Sequence, residues 1–220
     1  MANSFFATES IKSVARRLYA DAPAVGRFMA VHRAAIAPVA EVLNAVPVGS
    51  RVLDVGCGNG LLLNVLADAG RISAGEGVDI SAAAIAMANH AAGRLPANVV
   101  CPVFAARPPE TLLPADEFDA VLLVDVMHHV PPAVQADFLL RVSQRVRPGG
   151  LLVYKDMCRR PAWQHRHESP ARSGGRQAMD QLFPGRPRAR NAGAGVRTDR
   201  VQRPRMFWYG HEFRLFQRNA

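Results

Sequence analysis

Strands alternating with helices between residues 49 and 158, a glycine turn directly after the first strand, and amphipathic helices ahead of it predict an α/β fold. The sheet is expected to be doubly wound and mostly parallel, because helical crossovers carry the chain back to start each strand in the same direction. Ligands of such sheets bind beyond the carboxyl ends of the strands. That rule puts the turn at Gly56, Asp79, the stretch from Asp125 to His129, and Lys155 along one rim.

Residues 1–48 read as a helical lead-in. Ser10, Ile11, Val14 and Leu18, then Phe28, Val31, Ile36, Val39, Val42 and Leu43, keep the spacing of a buried face, so two amphipathic helices are expected within 9–45. Residues 49–158 read as the core. Strands are expected near 51–55, 75–80, 98–104, 118–125 and 150–157, and helices near 60–69, 82–93 and 131–146. Pro131-Pro132 suits the start of the last helix, since a proline fits the first helical turn.

The most informative stretch is Val52 to Gly60, V-L-D-V-G-C-G-N-G. A buried apolar strand ends at Val55, breaks into Gly56, Gly58 and Gly60, and gives way to apolar residues at helical spacing from Leu61 to Leu66. Backbone without side chains lets a ligand approach such a turn closely, and unpaired N–H groups at the helix start favour a negative group. The spacing excludes a Walker-type phosphate loop, because no lysine and hydroxyl residue follow Gly60. It also departs from the dinucleotide pattern G-x-G-x-x-G, since the third glycine comes one residue early. Two acids accompany the turn. Asp54 stands two residues before Gly56, and Asp79 closes the next apolar segment, Gly77-Val78-Asp79-Ile80, where a carboxylate can accept hydrogen bonds from both hydroxyls of a ribose.

With both acids in register, the chain resembles the class I S-adenosylmethionine (SAM)-dependent methyltransferases, whose first motif reads D-x-G-x-G-x-G. The resemblance implies a seven-stranded Rossmann-like sheet with SAM as cofactor. In that reading Gly56, Cys57, Gly58 and Gly60 line the methionyl part, Asp54 orients the amino end, and Asp79 with Ile80 holds the ribose end. The remaining alternative is a glycine turn in some other doubly wound fold. More of the chain is similar to the family: Phe118-Asp119-Ala120-Val121 resembles its fourth strand, Val126-Met127-His128-His129-Val130 the loop after it, and Arg147-Pro148-Gly149-Gly150 the turn before its fifth strand. Asp125 is implied to line the SAM cleft. The lead-in of such proteins either caps that cleft or only covers the sheet. One departure stands out: after the third strand many members place an acid that meets adenine, whereas this chain reads Val103-Phe104-Ala105-Ala106-Arg107.

Methyl transfer from a sulfonium needs alignment and exclusion of water, and a hydroxyl acceptor also needs a base. His128 and His129 are the candidates, because histidine removes protons near neutral pH; a role in shaping the loop is the alternative. Lys155-Asp156 either faces the acceptor or forms a salt-bridged rim pair. No metal site is expected: Cys57, Cys101 and Cys158 lie far apart, and their odd number suggests reduced thiols in a cytoplasmic protein. No apolar run approaches the length of a membrane span, and no secretory leader pattern opens the chain.

The formal charge of +9 is unevenly placed: residues 1–158 carry a net −1, with 13 Lys/Arg against 14 Asp/Glu, and residues 159–220 carry +10. From about 159 to 205 apolar periodicity gives way to Arg, Pro, Gly and Gln, which by composition reads as disrupted or disordered. Residues 206–220 again look like a strand, resembling the last strand of the methyltransferase sheet. Read one base later in degenerate codons, His167 to Pro184 permits M-N-R-L-H-D-L-V-V-A-R-Q-W-I-N-Y-F-P, a string with helical apolar spacing. That string resembles what certain small-molecule methyltransferases carry after K-D-M-x-x-R-P-x-W, present here as Lys155-Asp156-Met157, Arg160-Pro161 and Trp163. A pair of compensating frame shifts across roughly 164–205 accounts for the segment, with a natural arginine-rich insertion as the alternative. The segment holds no lysine and few aromatic residues, which argues against a nucleic-acid partner. The expected function is methyl transfer to a small-molecule acceptor, in the direction of aryl or polyketide-type metabolism. The rival readings are an RNA methyltransferase using the basic segment and a SAM-binding protein without catalysis.

Overall fold

The computed structural model describes residues 5–36, 38–158, 196–202, 205–206 and 209–218, which fall into two units, residues 1–114 and 115–220. Most of the atypical segment, with Arg160-Pro161, Trp163 and the stretch from His167 to Pro184, lies outside the described residues, as do Phe207 and Trp208. No helix among the described residues is long and apolar enough to cross a membrane.

The first unit opens with three helices: α1 (Thr8–Leu18), α2 (Ala24–Ile36) and α3 (Val39–Ala45). Ile11, Ala15 and Leu18 form the buried stripe of α1. Ser10, expected on that stripe, is exposed; its hydroxyl donates to the Ala7 carbonyl at 2.7 Å and accepts from the Ala7 N–H at 3.2 Å, tying the helix start. Where a single second helix was expected, the chain forms α2 and α3, with Pro38 at the N-cap of α3. Phe28, expected in the core, is 58% exposed and stacks on His32 at 4.0 Å between ring centroids. Val39, Val42 and Leu43 are buried as the periodicity predicts.

Three parallel strands follow in the order β3-β2-β1: β1 (Ser50–Val55), β2 (Ile72–Asp79) and β3 (Val103–Ala106). Helix α4 (Leu61–Asp68) joins β1 to β2, and α5 (Ala82–Ala92) joins β2 to β3. Helix α4 is buried from Leu61 to Ala67, as an apolar segment without a polar face must be. Ser81 caps α5 by accepting from the Ala84 N–H at 3.3 Å. β3 starts later than its apolar run suggests, after Pro102, whose ring nitrogen has no hydrogen to give a ladder.

In the second unit β4 (Phe118–Val124) and β5 (Val146–Cys158) are parallel, linked by two 3₁₀ turns (Met127–His129 and Pro132–Val134) and α6 (Gln135–Ser143). β6 (Val196–Gln202), β7 (Arg205–Met206) and β8 (Tyr209–Arg218) complete it; β8 runs antiparallel to β5, and β6 and β7 run antiparallel to β8. β8 matches the strand expected after residue 206. β6 falls inside the stretch read as disrupted. Among the described residues β6 pairs only with β8, and a strand paired on one side tolerates a charged sequence such as Arg197, Asp199 and Arg200, so composition alone does not reveal it.

Arg147-Pro148-Gly149-Gly150, read as a turn ahead of β5, lies within it as a wide bulge: Phe118 pairs with Val146, and Ala120 already pairs with Leu151. The Arg147 Nε–Asp119 ion pair at 2.6 Å spans the bulge. A Cβ on Gly150 would lie 2.9 Å from the carbonyl oxygens of both Arg147 and Asp119, backbone atoms that cannot swing aside. Gly150→Ala is therefore expected to lower stability by about 1–3 kcal/mol. Gly93→Ala, where the new methyl meets nothing closer than 3.5 Å, is neutral or slightly stabilising. Urea midpoints at constant m-value separate the two, and equal midpoints contradict the bulge account.

Candidate active site

The first unit's candidate residues gather where β1 and β2 end. Gly56, Gly58 and Gly60 have φ of 71°, 55° and 76°, left-handed values that suit glycine. The N–H groups of Gly56 and Cys57 both donate to the Val78 carbonyl, at 2.8 and 3.1 Å. The Gly58 N–H donates to Asp79 Oδ2 at 2.8 Å, and the Ser81 N–H donates to Asp79 Oδ1 at 2.9 Å. An ionised carboxylate has about four acceptor positions, so both Asp79 oxygens retain capacity for a ligand hydroxyl. The glycines differ in purpose. A Cβ on Gly60 would strike Ala88 and the Phe104 ring at 2.7–2.8 Å, so this glycine lets α5 and β3 pack against the turn. A Cβ on Gly58 would meet only an Arg33 nitrogen, at 3.8 Å; here the backbone stays open to a ligand. Ile80, next along, is 66% exposed.

Asp54 is buried at the heart of this arrangement, and its Oδ2 has no hydrogen-bond partner among the described residues. Burial drives its pKa up to about 7, opposed by the positive charge of Arg33 and assisted by the negative charge of Asp79. Arg33, from α2, also reaches this turn, and the sequence reading did not single it out; nothing in its type or spacing marks it, because its place at the turn is a long-range contact. Burial, then the charges of Asp54 and Asp79, push the Cys57 thiol far above its ordinary range, so Cys57 is a small packing residue and not a nucleophile. The buried Tyr19 hydroxyl donates to the Asn59 carbonyl at 2.7 Å, binding α1 to the same turn. Where the family often carries an acid after the third strand, Arg107 turns its guanidinium to Glu76 at 2.9 Å.

The second unit holds the other candidates, at the ends of β4 and β5. Asp125 has φ of 59°, the one non-glycine positive φ among the described residues, and its N–H donates to the Lys155 carbonyl at 2.8 Å. Lys155, 1% exposed, places Nζ 2.6 Å from both Asp125 oxygens. His128 Nδ1 lies 2.7 Å from Asp156 Oδ1, and the His128 N–H donates to Asp156 Oδ2 at 3.0 Å. Lys155 and Asp156 thus each take part in an ion pair with a residue at the end of β4 or in the loop after it. His129 is exposed, its ring centroid 3.9 Å from that of His128. Gln135 Nε2 donates to the carbonyls of Met127 and Val130 at 3.0 and 2.9 Å, fixing the histidine loop. Donor atoms of Asp125, His128 and Asp156 lie within 4.8 Å of one another, a spacing open to a cation, but the Lys155 ammonium already supplies positive charge to Asp125.

The raised pKa of Asp54 sets a pH dependence. In the fold Asp54 holds its proton up to about pH 7, whereas unfolded it releases it near the ordinary 3.8. Its contribution to stability is therefore full below about pH 4, falls as pH rises towards 7, and is level above. Asp54→Asn is expected to flatten the stability profile between those limits in urea unfolding at several pH values; a wild-type profile as flat as the variant's contradicts the burial account.

A family described as a methyltransferase domain matches residues 27–188. Over 125 residues the chain is 34% identical to the ubiquinone biosynthesis O-methyltransferase of Alkalilimnicola ehrlichii, covering 56% of this chain and 47% of that protein. The enzyme of the same name from Bradyrhizobium sp. is 36% identical over 122 residues, 54% of this chain and 44% of that one. The chain thus spans about half the length of the curated relatives it matches. Among solved structures, magnesium protoporphyrin IX methyltransferase from Synechocystis PCC 6803, with S-adenosylhomocysteine (SAH) bound, superposes with a TM-score of 0.63 at 19% identity, covering 96% of this chain and 95% of that one. The N-methyltransferase NodS from Bradyrhizobium japonicum WM9, also with SAH, gives 0.62 at 16% identity, covering 96% and 99%. These two likenesses establish the Rossmann-like α/β fold. The family match takes in Arg33, the glycine turn, Asp79 and the histidine loop, and the chain belongs to the methyltransferase domain family.

Proposed function

We propose that this protein is a SAM-dependent methyltransferase acting on a hydroxyl group of a small molecule. The observation that carries the reading is the open backbone at Gly58, held by an Asp79 carboxylate with acceptor capacity to spare, beside a buried Asp54 and the Arg33 guanidinium. Two opposite charges at one turn match the amino-acid end of SAM: Asp54 for its ammonium, Arg33 for its carboxylate. Asp79 takes the ribose hydroxyls, Ile80 packs on the base, and Gly56, Cys57 and Gly60 keep the turn in shape. Bound SAM supplies a methyl group already activated on a sulfonium. The small acceptor is supported by the names of the relatives, which are O-methyltransferases of ubiquinone biosynthesis. Asp125 belongs to this reading as a residue held in place by Lys155 at the end of β4.

Calorimetric titration with SAM tests it. Asp79→Asn is expected to weaken binding at least about tenfold, since a hydrogen bond to a charged group is worth roughly 1.5–3 kcal/mol. Wild-type affinity is expected to rise with pH up to about 7 and then level, because Asp54 must lose its proton before it can pair with the ammonium. Equal affinity for wild type and variant overturns the ribose role, and no detectable binding overturns the reading.

A further inference from the structure

We propose, resting on the SAM reading above, that Tyr19 is a positioning residue for the methyl donor. Its hydroxyl locks the peptide between Asn59 and Gly60, and with it the open backbone at Gly58, in the conformation that binds. The glycine turn carries a conformational liability. Gly60 must be glycine because Ala88 and the Phe104 ring leave no room for a Cβ, and its φ of 76° is a left-handed value. The same missing side chain lets φ take either sign, so nothing in Gly60 itself stops the Asn59–Gly60 peptide from flipping. A flip would reverse a carbonyl and an N–H one residue from Gly58, the backbone that stays open to a ligand.

Two hydrogen bonds hold that peptide, one at each end. The Tyr19 hydroxyl donates to the Asn59 carbonyl at 2.7 Å, and the Gly60 N–H donates to the Cys57 carbonyl at 3.0 Å. The second bond closes within the turn and moves with it, whereas the first anchors the turn to a residue 40 positions away. The Asn59 side-chain oxygen is buried with no partner among the described residues and adds no anchor of its own. Tyr19 is itself well fixed. It is 1% exposed, it follows directly on the buried stripe of α1, and its N–H donates to the Ala15 carbonyl at 3.0 Å. Its hydroxyl accepts from Asn64 Nδ2, on the buried helix α4, at 3.3 Å, and that amide also donates to the Ala88 carbonyl at 3.3 Å. One buried amide therefore aims the hydroxyl and ties it to α5, whose Ala88 packs at Gly60. Burial pushes the phenol well above its ordinary range, so it stays a neutral donor. Fixing the turn before the donor arrives matters, because apparent affinity falls with the fraction of protein in the binding conformation.

The test is calorimetric titration of the full chain with SAH, together with hydrogen exchange at the Gly60 amide of the protein alone. Tyr19→Phe keeps the ring and removes only the hydroxyl. It is expected to weaken SAH binding about fivefold or more and to speed Gly60 exchange about tenfold or more. Asn64→Ala keeps the hydroxyl but not the amide that aims it, and should move both readouts the same way by less. Ile11→Val is the matched control. It trims one methyl group from the buried stripe of α1, costs stability comparable to one lost hydrogen bond, and should leave both readouts within about twofold of wild type. Wild-type SAH affinity in Tyr19→Phe overturns the proposal, and so do equal losses in Tyr19→Phe and Ile11→Val. Should Tyr19→Phe fail to fold, wild-type values in Asn64→Ala overturn it instead. Wild-type protein that does not bind SAH overturns the donor reading and the role of Tyr19 with it, whereas binding that is indifferent to the hydroxyl overturns the role of Tyr19 alone.

Discussion

The bond from the Gly58 N–H to the Asp79 carboxylate is the constraint around which the first unit is organised. A glycine turn in left-handed conformation has no regular ladder to satisfy its amides, and here the end of β2 supplies the acceptors. The Val78 carbonyl takes two N–H groups, one Asp79 oxygen takes a third, and the other Asp79 oxygen starts α5 through Ser81. One carboxylate therefore sets the position of the turn, the end of a strand and the entry of a helix. Its remaining acceptor capacity then lies wherever the turn has put the open backbone of Gly58.

Charge is arranged around that constraint at a cost to the fold. Asp54 is buried with one oxygen unpartnered, and the loss of hydration raises its proton affinity more than Arg33 lowers it. Such a group destabilises the ionised protein, which makes sense where a cationic ligand group completes its hydrogen bonding. The lead-in also reaches the turn: α2 brings the Arg33 guanidinium close to Gly58, and Tyr19, directly after α1, donates to the Asn59 carbonyl.

Much of this architecture was legible because it is encoded over short distances. The runs at 52–55 and 118–124 are apolar but for Asp54 and Asp119 and are flanked by turn residues, and the glycine spacing with Asp54 and Asp79 marked the turn after β1. Features set by distant parts of the chain were not legible. Arg33 carries no local signal, and the pairing of Asp156 with His128 depends on the register of β4 against β5. The bulge at Arg147–Gly150 has the composition of a turn and is absorbed into a strand only because β4 lies alongside. Phe28 keeps helical spacing with the core residues and yet faces outward, since periodicity does not say which face of a short helix finds a partner. β6 was hidden by its charge, which an edge position tolerates.

The proposed function rests on the open backbone beside Asp79 as a cradle for the adenosyl donor. The most direct measurement is a titration of the full chain with SAH, following backbone amide resonances by NMR. Saturable shifts are expected at Gly56, Gly58, Gly60 and Ile80, with Arg33 side-chain signals responding in the same titration. Saturable binding that leaves those amides unmoved, or no binding at millimolar SAH, would contradict it.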